Sequence, residues 1–238
     1  MMNKDEFVDK AVDIANHYKT LYVRAAFGSP LTAANKTRYL KNWYNSKPER
    51  KKKILAASEN TFGFDCSGLV KGILWGWSGK LNSTYGGAVY CNDGIPDENA
   101  NTMISHCTEV STDMSKVQKG ELLWKSGHIG IAISSEQAVE CTPALEDGVQ
   151  ITRIATRGWS KHGKYKYVDY DIPIGAGSHV KITGTYYYGG LKKIPAWVKK
   201  QIWIVKSISG DRVVIDEDVN HKYHICSAVN KCDLIAVK

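Results

Sequence analysis

Residues 63–77 read "GFDCSGLVKGILWGW", in which a cysteine lies between an acid and a serine, directly before a strongly apolar run. The apolar residues of that run are Leu69, Val70, Ile73, Leu74 and Trp77. Their spacing is that of one face of an α-helix, so the run predicts a buried helix. Asp65 stands where the N-cap belongs, and Cys66 is then the first helical residue.

A thiol at the start of a helix is a candidate nucleophile. Free backbone amides and the positive end of the helix macrodipole favour a thiolate over a thiol at this position. The alternative is a small residue packed at a helix start, which is how most lone cysteines are used. A base within reach of Cys66 would decide between the two.

The stretch "HIGIAISSEQAVEC", residues 128–141, supplies a candidate base. Isoleucines alternate with His128, a glycine and an alanine, which predicts a strand with one apolar face and one face that carries the histidine. A hairpin turn at the two serines places Glu140 opposite His128 or Gly130 on that second face. The backbone positions of His128 and Glu140 are then roughly 5–8 Å apart. We expect an imidazole–carboxylate hydrogen bond, and the small neighbouring residues leave room for the cysteine helix above this face.

These residues fit a nucleophile–base–orienter arrangement. In it Cys66 attacks, His128 takes the thiol proton, and Glu140 fixes the histidine tautomer and stabilises the imidazolium. Each residue taken alone is more often structural, but the combination favours catalysis. This chemistry needs no metal and no organic cofactor.

Composition limits the classes of protein. With 238 residues, 43% of them hydrophobic and 24% charged, the chain is typical of a soluble globular protein. The net charge of +8 suits nucleic acid, a membrane surface or an anionic cell wall as partner. The basic runs at 47–53 and 191–200 are more typical of solvated faces. We see no secretory signal, and no run reaches the ~18 apolar residues of a membrane span, so membrane insertion is not expected.

The cysteines give little support for metal binding or disulfides. They are Cys66, Cys91, Cys107, Cys141, Cys226 and Cys232. No C-x-x-C pair occurs, and His106 beside Cys107 is only a weak metal signal. Cys226 and Cys232 could bridge across a loop, but synthesis in a reducing cytoplasm argues against it.

The order of patterns predicts an α+β chain of two domains, residues 1–173 and 174–238. A basic, helical insertion spans 31–61, and a loop-like segment, rich in glycine and asparagine, spans 78–118. We hypothesise that the second of these closes over substrate. Short strands follow from residue 120, and the last sixty or so residues have the size and pattern of a small β-barrel.

The motifs "FDCSGLV", "GELLWKSGHIGIAI" and "VECTP" together resemble the NlpC/p60 family of cysteine peptidases. The resemblance covers roughly residues 7–172 and implies a papain-like α+β fold, with helices packed on a small antiparallel sheet. It implies hydrolysis of peptidoglycan stem peptides, usually between the γ-carboxyl of D-glutamate and the diamino acid. The family often has histidine at the third catalytic place, where this chain has Glu140.

The resemblance also implies substrate-binding residues. The acid and serine that flank the nucleophile, here Asp65 and Ser67, help relatives hold the free amine of the stem peptide. A family tyrosine near the oxyanion corresponds best to Tyr22, with Tyr39 and Tyr44 as rivals. The insertion at 31–61 separates Tyr22 from the cysteine by more than the family pattern does.

The C-terminal part resembles a bacterial SH3-like cell-wall-binding barrel. Its candidate groove residues are Tyr186, Tyr187, Tyr188, Trp197 and Trp203. We expect at least half of them to be core, since a barrel of this size has few other places for aromatic rings. A peptidase with such a tail and no signal resembles a phage or prophage endolysin, which is made in the cytoplasm and reaches the wall through a holin pore or on lysis.

Three alternatives stay open. An N-acetylmuramoyl-L-alanine amidase could use the same triad on a different bond. A catalytically inactive wall-binding protein could keep the fold alone, although an intact triad argues against it. Nucleic-acid binding through the basic runs is the third, and no recognised binding motif accompanies those runs.

Overall fold

The computed structural model describes residues 1–170 and 174–237. The chain divides into two compact units, residues 1–170 and 171–238. The first unit mixes helices with sheets and the second consists mostly of strands, so the α+β class is confirmed. The predicted end of the first domain, residue 173, lies outside the described residues.

The helices of the first unit are α1 (Lys4–His17), α2 (Ala33–Tyr39), α3 (Pro48–Ala56), α4 (Cys66–Leu74) and α5 (Ala100–Ser105). Asn3 caps α1, because its side chain accepts hydrogen bonds from two amides of the first turn. The buried face of α1 consists of Phe7, Val8, Ala11 and Ile14. The helix ends at His17, since Tyr18 is extended and Leu21 lies in a strand.

Helix α4 begins as the sequence predicts. Asp65 is the N-cap, Cys66 is the first helical residue, and Asp65 Oδ1 lies 2.6 Å from the amide nitrogen of Gly68. All nine residues of α4 are buried, so this helix forms the centre of the unit. It ends at Leu74 rather than at Trp77; the Trp77 ring is buried in the turn that follows and bonds a strand carbonyl.

The strands of the first unit are β1 (Met2–Asn3), β2 (Thr20–Tyr22), β3 (Phe27–Pro30), β4 (Phe62–Phe64), β5 (Cys107–Ser111), β6 (Leu122–Lys125), β7 (His128–Ala132), β8 (Gln137–Thr142), β9 (Gly148–Arg153), β10 (Lys161–Tyr165) and β11 (Val168–Asp169). An antiparallel sheet of six strands has the order β5-β10-β6-β7-β8-β9. A smaller sheet, β2-β4-β3, leads directly into α4. Strands β1 and β11 pair in parallel.

Helix α4 packs on the other face of β7 from the one expected. Its residues share a core cluster with Ile129 and Ile131, and with Val139 and Cys141 of β8. The face that carries His128 instead packs against Trp159 and its neighbours. The isoleucine face offers more apolar area to bury than the small residues do, so it takes the apolar helix.

The two insertion-like segments differ in structure. Helices α2 and α3 lie within 31–61, in agreement with its helical pattern. The segment 78–118 is not only a loop, since it contains helix α5 and strand β5, which joins the six-stranded sheet. Residues in the first part of it are also anchored: the Trp75 indole donates to the carbonyl of Ile95 at 2.9 Å.

In its described residues, 174–237, the second unit consists mainly of an antiparallel sheet of five strands, with the short helix α6. Its elements are β12 (His179–Ile182), α6 (Ala196–Lys199), β13 (Trp203–Ser209), β14 (Arg212–Asp218), β15 (His224–Asn230) and β16 (Leu234–Val237). The strand order is β15-β14-β13-β12-β16. The core under this sheet contains Val180, Trp203, Val205, Val213, Ile215 and Val229.

The aromatic residues of the second unit are less buried than predicted. Trp203 is fully buried and Tyr187 packs partly against the core. Tyr186, Tyr188 and Trp197 are 48%, 46% and 45% exposed, so the expectation that at least half of the five are core is wrong. Aliphatic residues of the strands fill the core instead and leave these rings on the surface.

Candidate active site

The thiol of Cys66 lies where helix α4 meets the start of strand β7. Its Sγ is 4.0 Å from the carbonyl oxygen of Gly127, the residue before His128. Backbone amides of Ile129 and Ser67 also point at the sulfur. Cys66 is only 8% exposed.

The protonation state of Cys66 differs from the sequence expectation. Burial, and then the charge of Asp65, raise the pKa of the thiol from 9.0 to about 12, and the hydrogen bonds of nearby backbone amides offset this only in part. The expected preference for a thiolate is therefore wrong for the free protein. Desolvation exceeds the stabilisation by the helix start, because the sulfur is enclosed by apolar side chains.

His128 and Glu140 form the predicted pair. Gly130 is the register partner of Glu140, so His128 lies on the diagonal, which is one of the two placements expected. His128 Nε2 is 2.6 Å from Glu140 Oε2. A carboxylate at Nε2 places the proton of the neutral ring on that nitrogen and leaves Nδ1 as the basic atom.

Glu140 is fully buried, and its carboxylate accepts hydrogen bonds from His128, Arg157 and Thr152. Arg157 donates from Nε to Oε1 at 2.5 Å and from Nη2 to Oε2 at 2.9 Å, and Thr152 donates to Oε1 at 2.7 Å. Burial alone would raise the pKa of Glu140, but the hydrogen bonds from His128, Arg157 and Thr152 outweigh it and lower the pKa to about 2. The Glu140 carboxylate is thus ionised and held by several hydrogen bonds.

Trp159 packs flat against the imidazole. The two rings are 5.3 Å apart and within 10° of parallel. A Cβ at position 130 would lie 2.9 Å from the Trp159 ring, so the glycine in β7 makes room for the indole. Lys125 lies over the same indole at 5.2 Å and donates to the carbonyl of Arg157 at 2.6 Å. These contacts leave the His128 ring little freedom to rotate.

The structure brings His128 and Glu140 into contact and places Cys66 beside the backbone that precedes the histidine. Among the described residues, no hydrogen bond joins Cys66 Sγ to the imidazole. The histidine is the first residue of β7 and follows Gly127, whose φ of 72° turns the chain sharply at this point. Catalytic hydrogen bonds are often long in a free enzyme and shorten in the substrate complex.

Asp65 and Ser67 are occupied by contacts within the protein. Asp65 Oδ1 accepts from Gly68 N and from Ser67 Oγ, the latter at 3.2 Å, and Oδ2 accepts from the amide of Ala25 at 2.7 Å. Ser67 is buried, while Asp65 is partly exposed. Asp65 therefore caps α4 and fixes the chain after β2.

Of the three candidate tyrosines, Tyr22 packs against the core cluster that contains Cys66. Burial and then the charges of Asp65 and Cys66 raise the pKa of its phenol. Tyr39 is buried away from the surface, with its hydroxyl 2.6 Å from Ser29 Oγ. Tyr44 packs edge-on against Tyr22 at 5.9 Å.

Asn101, in the 78–118 segment, supports the turn before His128. Its Oδ1 accepts from the amide of Gly127 at 3.1 Å and from the indole of Trp124 at 3.0 Å. Helix α5 thereby holds the chain that carries His128. This contact gives 78–118 a structural task at the candidate site.

Four residues of the candidate site are not predicted by the sequence patterns: Arg157, Trp159, Thr152 and Asn101. The triplet "RGW" at 157–159 has no periodicity and lies in a connection between strands. Thr152 was accessible in principle, because strand pairing places it diagonally across from Glu140 on the same face.

The weak metal signal at His106 and Cys107 has another explanation. His106 Nδ1 lies 2.5 Å from Glu98, and Cys107 Sγ donates to the carbonyl of Met103. No cluster of three or more potential ligand side chains occurs among residues 1–170 and 174–237. All six cysteines are free thiols in these ranges. None of the described helices has the length and apolarity needed to cross a membrane.

Two comparisons with known proteins found no match to the chain. No protein-family model matches the chain, and a search of curated proteins found no significant match. The resemblance to NlpC/p60 peptidases rests on the motifs around Cys66, His128 and Glu140 alone.

Proposed function

We propose that the chain is a peptidoglycan hydrolase that cleaves the stem peptide between the γ-carboxyl of D-glutamate and the diamino acid. Cys66 is the nucleophile, His128 the general base and acid, and Glu140 the orienting carboxylate. The observation that carries this proposal is the buried, ionised Glu140 held at 2.6 Å from His128, at the strand start that adjoins Cys66. The choice of substrate follows from the NlpC/p60 resemblance.

The first half of the reaction acylates the enzyme. His128 Nδ1 takes the thiol proton while Sγ bonds to the scissile carbonyl carbon and the carbonyl electron pair moves to oxygen. The raised pKa of Cys66 means that this proton leaves during attack, not before it. Collapse breaks the carbon–nitrogen bond, the imidazolium gives its proton to the leaving amine, and a thioester remains on Cys66.

The second half releases the product. Water gives a proton to His128 and attacks the thioester carbon, and the carbon–sulfur bond breaks. The thiolate then regains its proton from the imidazolium. Glu140 stabilises the imidazolium in both halves, although Arg157 neutralises much of the carboxylate charge. In this proposal, backbone amides at the start of α4 and the Tyr22 hydroxyl donate hydrogen bonds to the developing oxyanion.

The second unit is the proposed wall-binding part, an SH3-like domain. Three exposed aromatic rings support this role, because rings that are not needed for the core are typical of carbohydrate and peptide contacts. The ring centres of Trp197 and Tyr223 are 5.3 Å apart, so these two rings lie side by side. The enzyme would reach the wall on lysis or through a holin pore, as endolysins do.

Digestion of purified sacculi tests the proposal. Sacculi of the diaminopimelate type and of the lysine type are incubated with the full chain, and the released fragments are identified by mass. Fragments that end at the γ-carboxyl of D-glutamate are the expected result. Complete stem peptides freed from the glycan would instead identify an amidase, and binding to the wall without any release would identify a binding protein.

A further inference from the structure

A group of aromatic and basic side chains lies on the Tyr22 side of the candidate active site. It consists of Arg24, Trp43, Tyr44 and Lys47, and we call it the ring-and-cation cluster. Trp43 is 63% exposed, and its ring meets that of Tyr44 at 5.8 Å and nearly at right angles. The Tyr44 ring in turn meets Tyr22 at 5.9 Å. Aromatic contacts therefore continue from the surface to Tyr22, which packs against the core cluster that contains Cys66.

Both cations of the cluster lie over rings. The Arg24 guanidinium carbon is 5.4 Å from the centre of Trp43 and 5.9 Å from that of Tyr44. Lys47 Nζ is 4.8 Å and 5.2 Å from the same two rings. Within the described ranges neither cation forms a salt bridge with a carboxylate of the protein. Arg24 and Lys47 thus place two positive charges on an exposed surface, and no carboxylate of the described residues forms a salt bridge with either.

The cluster is held rigidly. Asn45 is fully buried, accepts a hydrogen bond from the amide of Arg24 at 2.9 Å and donates to its carbonyl at 3.0 Å. This pair of bonds fixes the turn that bears Trp43 and Tyr44 against the chain after β2. The next residue along that chain, Ala25, donates to Asp65 at 2.7 Å. The cluster is therefore built onto the same short segment that contacts the N-cap of the nucleophile helix.

We propose that the ring-and-cation cluster is a substrate subsite that binds a carboxylate of the stem peptide on the Tyr22 side of Cys66; this inference rests on the proposed function. The guanidinium and ammonium groups bind the carboxylate, and Trp43 provides a flat surface for the adjoining part of the peptide. The connection between helices α2 and α3 supplies three of the four residues, and Arg24 comes from the chain after β2. The subsite therefore gives the basic insertion at 31–61 a role in substrate choice.

The carboxylate could be the α-carboxyl of D-glutamate or a carboxyl of the diamino acid. Three synthetic stem peptides separate these sources: one with both carboxyls free, one amidated at glutamate, and one amidated at the diamino acid. The wild type, Arg24→Gln and Lys47→Gln are compared on each peptide. Lys52→Gln is the matched control, because this exposed lysine of α3 changes the net charge equally and lies outside the cluster.

The expected result is a rise of about tenfold in KM for Arg24→Gln and Lys47→Gln on the free peptide, with kcat nearly unchanged. Amidation of the recognised carboxyl should raise the wild-type KM by a similar factor and remove the difference between wild type and variants. Cleavage with the same KM for both variants and for Lys52→Gln would overturn the subsite and leave the proposed function standing.

A binding measurement separates the two proposals if no peptide is cleaved. Titration of Cys66→Ala with the free and amidated peptides, followed by tryptophan fluorescence, reports on the cluster without catalysis. The subsite is supported if Cys66→Ala binds the free peptide more tightly than the amidated one, and if the double variant Cys66→Ala/Arg24→Gln loses this difference. This result would stand even if the hydrolase proposal failed. Equal binding of free and amidated peptides would overturn it.

Discussion

His128 Nε2 lies 2.6 Å from Glu140 Oε2, across the diagonal between strands β7 and β8. Glu140 is fully buried, and its other bonds come from Arg157 and Thr152. A buried carboxylate is costly unless it is fully hydrogen-bonded. Four hydrogen bonds are therefore donated to the Glu140 carboxylate, whose function, in our account, is to hold His128.

The lowered pKa of Glu140 predicts a pH-dependent contribution to stability. Its pKa falls from an ordinary 4.5 to about 2 on folding, so the ionised form stabilises the folded state above pH 4.5, and this contribution is lost as the pH falls through about 2. Glu140→Gln should therefore lower the free energy of unfolding most above pH 4.5. Urea unfolding at several pH values measures the difference, which should shrink towards pH 2; a constant difference would contradict the assignment.

Arg157 should act through Glu140 as a positioning residue. Arg157→Ala removes both bonds to the carboxylate, so we expect kcat to fall by about 100-fold with little change in KM. Arg157→Lys should recover only part of the loss, since lysine lacks the two-pronged geometry. Arg153→Ala is the control, because Arg153 is an exposed residue of the neighbouring strand β9. Equal effects of the two alanine variants would contradict this role.

Trp159 should restrain the His128 ring by its flat face alone. Its indole nitrogen is buried and has no hydrogen-bond partner in the described residues, so Trp159→Phe loses no hydrogen bond. We expect Trp159→Phe to keep most of the activity and Trp159→Ala to lose about 3–5 kcal/mol of stability as well as activity. Thermal unfolding and initial rates measure both effects, and full activity in a folded Trp159→Ala protein would contradict the restraint.

The raised pKa of Cys66 predicts slow alkylation at neutral pH. Because the thiol has a pKa of about 12, the rate with iodoacetamide should rise roughly tenfold per pH unit from about pH 7 to about pH 9.5. Mass spectrometry of the peptide containing Cys66 is needed, since Cys226 and Cys232 are exposed and will also react. A rate that is already constant below pH 7 would indicate a preformed thiolate–imidazolium pair and contradict the prediction.

The local parts of the site could be predicted from the sequence. The start of α4 follows from Asp65 and the apolar spacing after it, and the diagonal of His128 and Glu140 follows from the alternation along one hairpin. Both depend on residues within about a dozen positions of each other. Local periodicity is enough to fix such relationships.

The remaining parts depend on contacts that no short pattern encodes. Arg157 and Trp159 reach the site from an irregular connection, and their partners are set by how the chain returns after β9. The face of β7 that α4 covers does not follow from the sequence, because small residues and isoleucines can both lie under a helix. The raised pKa of Cys66 does not follow either, because the degree of burial is a tertiary property.

The measurement that tests the central claim most directly is the release of new amino groups from sacculi by the wild type, Cys66→Ala and Cys91→Ala. Cys91 is a partly buried thiol of the same unit that lies outside the proposed site, so it controls for the loss of a thiol as such. We expect steady release by the wild type and Cys91→Ala, and none by a folded Cys66→Ala protein. Release by Cys66→Ala at the wild-type rate would show that Cys66 is not the nucleophile.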